Sequence, residues 1–135
     1  MRKILLGFCL LFLLTVPSLA ENTDDQVLSA ARSFAELIDD GNFQAAYWNG
    51  SPLLQLANPE QVWLDSVERN QRVLGKVLSR ELNKIRSVTS FAKLPDDNYQ
   101  IVLFASRTMY KAEAHETLFL HQVDGIWQVC SYKVH

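Results

Sequence analysis

The segment YKAEAHETLFL, Tyr110 to Leu120, places an amine, an imidazole and a carboxylate (Lys111, His115 and Glu116) just ahead of an apolar run. On a strand, Glu116 alternates with Leu118 and Leu120 and shares their face. A carboxylate turned toward a core needs a cation or several donors. If the chain turns near Ala112 to Ala114, Lys111 comes within reach across the hairpin, and Arg80 on the preceding strand could join the cluster. Two readings stay open. An exposed Lys111 and Glu116 pair would be worth at most about 1 kcal/mol. An inward Glu116 held by Arg80 or Lys111 would stand at the mouth of a pocket.

An acid isolated in such a pocket, with Tyr47, Tyr99 or Tyr132 donating to a forming oxyanion, would suit isomerase or dehydratase chemistry. The spacing selects none of the three tyrosines. Cys130 lies deep in an apolar strand without an identifiable histidine partner and reads as a core residue, not a nucleophile. His115 and His121 share a strand face but stand about 20 Å apart, too far to hold one metal. His135 is terminal, so no metal site and no cofactor are expected. Lys76, Arg80, Lys84 and Arg86, reinforced by Arg69 and Arg72, form a basic run on an acidic chain. It is either a solvated, ion-paired face or a patch for an anion or acidic partner.

These residues need elements to hold them. Thr23 with Gln26 three residues on, and Asp24 and Asp25 between, marks a helix start. Val27, Ala30, Ala31, Phe34, Leu37 and Ile38 recur at helical steps, and Gly41 can take the left-handed cap. Asn42 opens a short helix to Gly50. SPLLQLANPEQ reads as a linker into a third helix capped by Asn58, with Trp63, Val67, Asn70 and Leu74 inward and Gly75 as its stop. Asp65 with Arg69, and Glu68 with Arg72, are spaced as exposed ion pairs. KVLSRELNKIRSVTSF fits helix or strand. YQIVLFASRTMY, HETLFLHQV and IWQVCSYKV read as strands, the last two joined by Asp124 and Gly125 in a hairpin turn. The fold class is therefore α+β: N-terminal helices packed on a curved antiparallel sheet of three to four strands.

The first 20 residues carry Arg2 and Lys3, an apolar run from Ile4 to Val16, then Pro17, Ser18 and Ala20. That is the pattern of a secretory signal cleaved near Ala20, too short to be a stable membrane anchor. Its removal takes two of the 13 basic residues and none of the 15 acidic ones, a net charge of about −4. A nucleic-acid binder is disfavoured. Cys130 is then the only cysteine left, so no internal disulfide can form.

In order and wording, DDGNFQAAYW, LGKVLSREL, PDDNYQIVLFAS, YKAEAHETLFL and DGIWQVCSYKV resemble secreted bacterial proteins of domain-of-unknown-function family 4019. Those proteins fall within the nuclear-transport-factor-2-like (cystatin-like) superfamily. The match covers nearly the whole of residues 21–135 and departs at Cys130, where those relatives carry a small residue. The resemblance implies one cone-shaped domain, with the first helix lying across the sheet and one end open to form a pocket. It implies no activity, because this superfold hosts isomerases, dehydratases, transport adaptors and immunity proteins alike.

The expected function is a periplasmic or secreted non-enzymatic protein that binds a small apolar ligand or a protein partner. Tyr47, Trp63, Asn70, Phe104 and Tyr132 are the pocket-lining candidates, and Arg80, Lys111 and Glu116 the polar cluster. The competing reading is an isomerase- or dehydratase-like enzyme using a carboxylate in the cone. A third is a homodimer through the sheet, with the cone filled by side chains.

Overall fold

The computed structural model describes residues 22–135, so the expected signal segment lies outside the described residues. Four helices, α1 (Thr23–Asp39), α2 (Phe43–Asn49), α3 (Pro52–Ala57) and α4 (Glu60–Leu74), precede four strands. The strands are β1 (Val77–Val88), β2 (Tyr99–Thr108), β3 (Ala114–Val123) and β4 (Ile126–Val134), forming an open antiparallel meander in the order β1-β2-β3-β4. The α+β class and the segregation of helices from strands match the sequence expectation. No described helix is long and apolar enough to cross a membrane.

Four local expectations are corrected. Asn22, not Thr23, caps α1, its side chain accepting from the Asp24 amide. The stretch read as a linker contains α3, started by Ser51 as cap and Pro52 in the first turn. Asn58 closes α3 instead of opening α4, and Pro59 stands at the α4 cap position without a side-chain bond. Asp65 accepts from Gln61, and neither expected ion pair on α4 closes to within 4 Å.

The core lies between the helices and the inner sheet face. Val27, Ala31, Phe34 and Ile38 of α1 meet Val102, Phe104, Leu118, Leu120 and Val129, with Trp63 and Val67 of α4 closing the side. Because alternate residues of a strand share a face, Ala114, Glu116, Leu118 and Leu120 all point inward, each at most 1% exposed. β1 contains two register shifts and β4 one. Leu78 and Asn83 are the extra residues of β1 and Cys130 that of β4, and such bulges bend a sheet.

On the outer face the β1–β2 connector, residues 89–98, folds back over one end of the sheet. Phe91 stacks on Phe119 with ring centres 3.8 Å apart, and Tyr99, Ile101 and His121 are buried beneath. The rest of that face is open.

Candidate functional site

Glu116 is completely buried, and its carboxylate is the centre of a polar cluster. Arg80 grips it with two hydrogen bonds, from Nε at 2.7 Å and from Nη2 at 3.0 Å. The Ser106 hydroxyl also donates to Oε1, and the Tyr132 hydroxyl donates to Oε2 at 2.9 Å. Four donors therefore fill the four acceptor positions of the two oxygens. Arg80 turns its other edge to Asp39, with Nη1 and Nη2 each 2.9 Å from one carboxylate oxygen.

The geometry follows from the strands. Arg80 pairs with Ser106, and Phe104 pairs with both Leu82 and Glu116, so Arg80, Ser106 and Glu116 leave neighbouring positions of the inner face. Asp39 is the last residue of α1, where the helix carbonyls disfavour a negative charge and the guanidinium offsets it. The start of β1 is set at Gly75, whose φ of 76° ends α4. A side chain there would meet Met109 and Tyr110, whose amides donate to Lys76 and Leu74.

Burial by itself lowers the Arg80 pKa, but hydrogen bonds and charge from Asp39 and Glu116 outweigh it and hold the group above its ordinary value. Burial, followed by the Glu116 charge, holds the Tyr132 phenol well above its usual range. The cluster is thus a charged guanidinium between two carboxylates, with a neutral tyrosine as a fourth member. The cavity beside it, lined by Asp39, Asn70, Leu74, Gly75, Thr108 and Tyr132, measures about 30 Å³. That is room for one or two waters, far below the 300 Å³ or so of a typical ligand pocket.

Of the expected polar cluster, Arg80 and Glu116 come together. Lys111 does not: its side chain is exposed in the β2–β3 turn, and its backbone is what bonds to Thr108. Asp39 and Ser106 complete the cluster without having been singled out from sequence. Ser106 could have been found from its parity with Val102 and Phe104, whereas Asp39 carried no such signal.

The five pocket candidates separate. Tyr47 is buried and donates to the Asn58 carbonyl at 2.7 Å, while its ring packs on Trp63. Trp63 also packs edge-on against Phe34. Phe104 lies in the core under the guanidinium groups of Arg32 and Arg80. Asn70 and Tyr132 line the small cavity, and together with Trp63 they border a groove of about 380 Å³ between α4 and β4.

The basic run is also rearranged. Arg80 points inward, while Lys84 and Arg86 of β1 share the outer face with Arg107 of β2 and Lys133 of β4. All four are exposed, and none has an acid within 4 Å among the described residues. Lys84, Leu103, Thr117 and Lys133 form one cross-strand row, about 14 Å from end to end at the usual strand spacing. Glu81 is the acidic residue of β1 on this face.

Helices on one face of an open sheet, pinned through a buried arginine and two carboxylates, define an α+β domain. The chain belongs to the family described as Protein of unknown function (DUF4019), whose model matches residues 30–132. No curated protein matches it.

Proposed function

We propose that this is an exported, non-enzymatic interaction domain of the nuclear-transport-factor-2-like kind, whose outer sheet face docks an acidic polypeptide. The observation that carries this reading is the set of four exposed cations, Lys84, Arg86, Arg107 and Lys133, on one sheet face with no acid within 4 Å among the described residues. Between them lie Leu103, Ala105 and Thr117, a flat strip an extended chain can cross. The export part of the reading rests on the leader-like residues 1–20 and the superfamily part on α1 packed against the inner sheet face.

The buried cluster argues against the isomerase-like alternative. A catalytic base needs a free lone pair aimed at substrate, and both oxygens of Glu116 are occupied by donors. The sheet-to-sheet homodimer is disfavoured as well, because a two-fold copy would set cations against cations. A small ligand would have to use an open groove, such as that of about 380 Å³ between α4 and β4 or that of about 400 Å³ between α1 and β4.

The test is binding of a fluorescent polyglutamate peptide by anisotropy, with and without Arg86→Glu plus Arg107→Glu. Affinity should fall steeply as salt rises from about 0.01 to about 0.15 M, over which the Debye length shrinks from about 30 to about 8 Å. The double reversal should abolish it. Salt-independent binding, or binding that survives the reversal, would remove the basis of the proposal.

A further inference from the structure

Beyond that reading, and independently of it, we propose that His115 and His135 form a chelating site for a late first-row divalent cation such as zinc, nickel or copper. The sequence expectation of no metal compared His115 with His121 along one strand. The sheet instead sets His115 opposite His135 across two strands. Their backbones exchange both hydrogen bonds, His115 N to His135 O at 2.7 Å and His135 N to His115 O at 3.0 Å. Both side chains therefore leave the same outer face from directly opposed positions. Both are exposed, and their ring centres are 5.7 Å apart with a 38° tilt.

That separation suits one metal between two imidazoles. With a metal–nitrogen bond of about 2.1 Å, a nitrogen about 1.2 Å from its ring centre and a tetrahedral angle, the ring centres fall about 5.3 Å apart. A small side-chain rotation covers the difference, and the strand pairing has already fixed the backbone. Neutral imidazole is a good ligand for zinc, nickel and copper alike. No third histidine, cysteine or carboxylate joins the pair among the described residues. The remaining coordination positions fall to water or to an incoming carboxylate. Arg107 and Lys133 lie diagonally across from His115 and oppose a divalent cation. Screening that repulsion should strengthen metal binding as salt rises, the reverse of the effect on an acidic peptide.

The experiment is a zinc titration of the protein at about pH 7.5, where free imidazole is mostly neutral, followed by calorimetry and by histidine ring resonances. The expected result is one equivalent bound, with the His115 and His135 signals moving together and those of His121 unmoved. His115→Ala and His135→Ala should each weaken binding about tenfold or more, and the double variant little further, since either change alone destroys the chelate. Both positions are exposed, so the variants keep the fold, which far-UV circular dichroism verifies. Absence of saturable binding, separate titration of the two rings, or an unchanged affinity in His115→Ala would each overturn the proposal.

Discussion

Replacing Glu116 by glutamine keeps the shape of the side chain and removes its charge. The carboxylate accepts from Arg80 Nε and Ser106 on one oxygen and from Arg80 Nη2 and Tyr132 on the other. An amide can present an oxygen to only one of these sets and turns two N–H groups toward the other. The Ser106 or Tyr132 hydroxyl can rotate and accept, but an Arg80 N–H cannot. At least one charge-assisted hydrogen bond is lost, worth about 1.5 to 3 kcal/mol. Removing one partner of a buried ion pair typically costs about 3 to 5 kcal/mol. Asp39 still holds the guanidinium through two bonds of 2.9 Å, which places the expected loss near the lower end, about 3 kcal/mol. At about 4 °C per kcal/mol for a chain of this size, Tm should fall by about 12 °C. Urea unfolding followed by tryptophan fluorescence and circular dichroism measures it directly. A loss below about 1 kcal/mol with an unchanged m-value would mean that the cluster does not pin the sheet to α1, and the reasoning would fail.

How much of this was legible in the sequence depends on the range of the signal. Strands β2 to β4 carry period-two alternation, and Asp124 and Gly125 take the positive φ values of 52° and 79° that their turn requires. β1 was ambiguous for a physical reason. Its extra residues at Leu78 and Asn83 shift the inward positions to Arg80, Leu82 and Ile85, and both Leu78 and Leu82 remain exposed, so alternation is broken. α3 is short and buries only Leu54, too little for a periodic pattern to register. For the cluster, parity allowed an inward Glu116 beside the reading of an exposed pair with Lys111, and the need to pair a buried charge left Arg80 and Lys111 both open; the fold selects Arg80. Asp39 is 41 residues from Arg80, and only the packing of α1 on the sheet brings the two together. The pairing of His115 with His135 depends on the register of β3 with β4, which the Cys130 bulge shifts. A one-residue insertion of that kind has no compositional signature, so the opposed imidazoles appear only in three dimensions.

Two further outcomes follow from the outer-face cover over the sheet. Burial pushes the Cys130 thiol up to about 12, and its Sγ donates to the Phe119 carbonyl. In a protein lacking Cys9, a disulfide reagent at about pH 8 should therefore react only after unfolding, since about one thiol in ten thousand is ionised in the native state. Labelling of folded protein at the rate of a free cysteine would contradict this. Asp97 concerns the connector itself. Its Oδ2 lies 3.1 Å from His121 Nδ1, and that contact, followed by the Asn98 backbone N–H, holds its carboxyl below the ordinary range. A carboxyl whose folded pKa is depressed contributes stability that is complete above its unfolded value, near about 4, and is lost as pH falls through the lower folded value. The connector over Tyr99 and Phe119 should accordingly loosen on the acid side of pH 4, seen as faster amide exchange in residues 89–98. Asp97→Asn should loosen it at neutral pH and flatten the acid dependence. If the variant and the parent lose protection along the same acid profile, the contact between Asp97 and His121 does not hold the connector down.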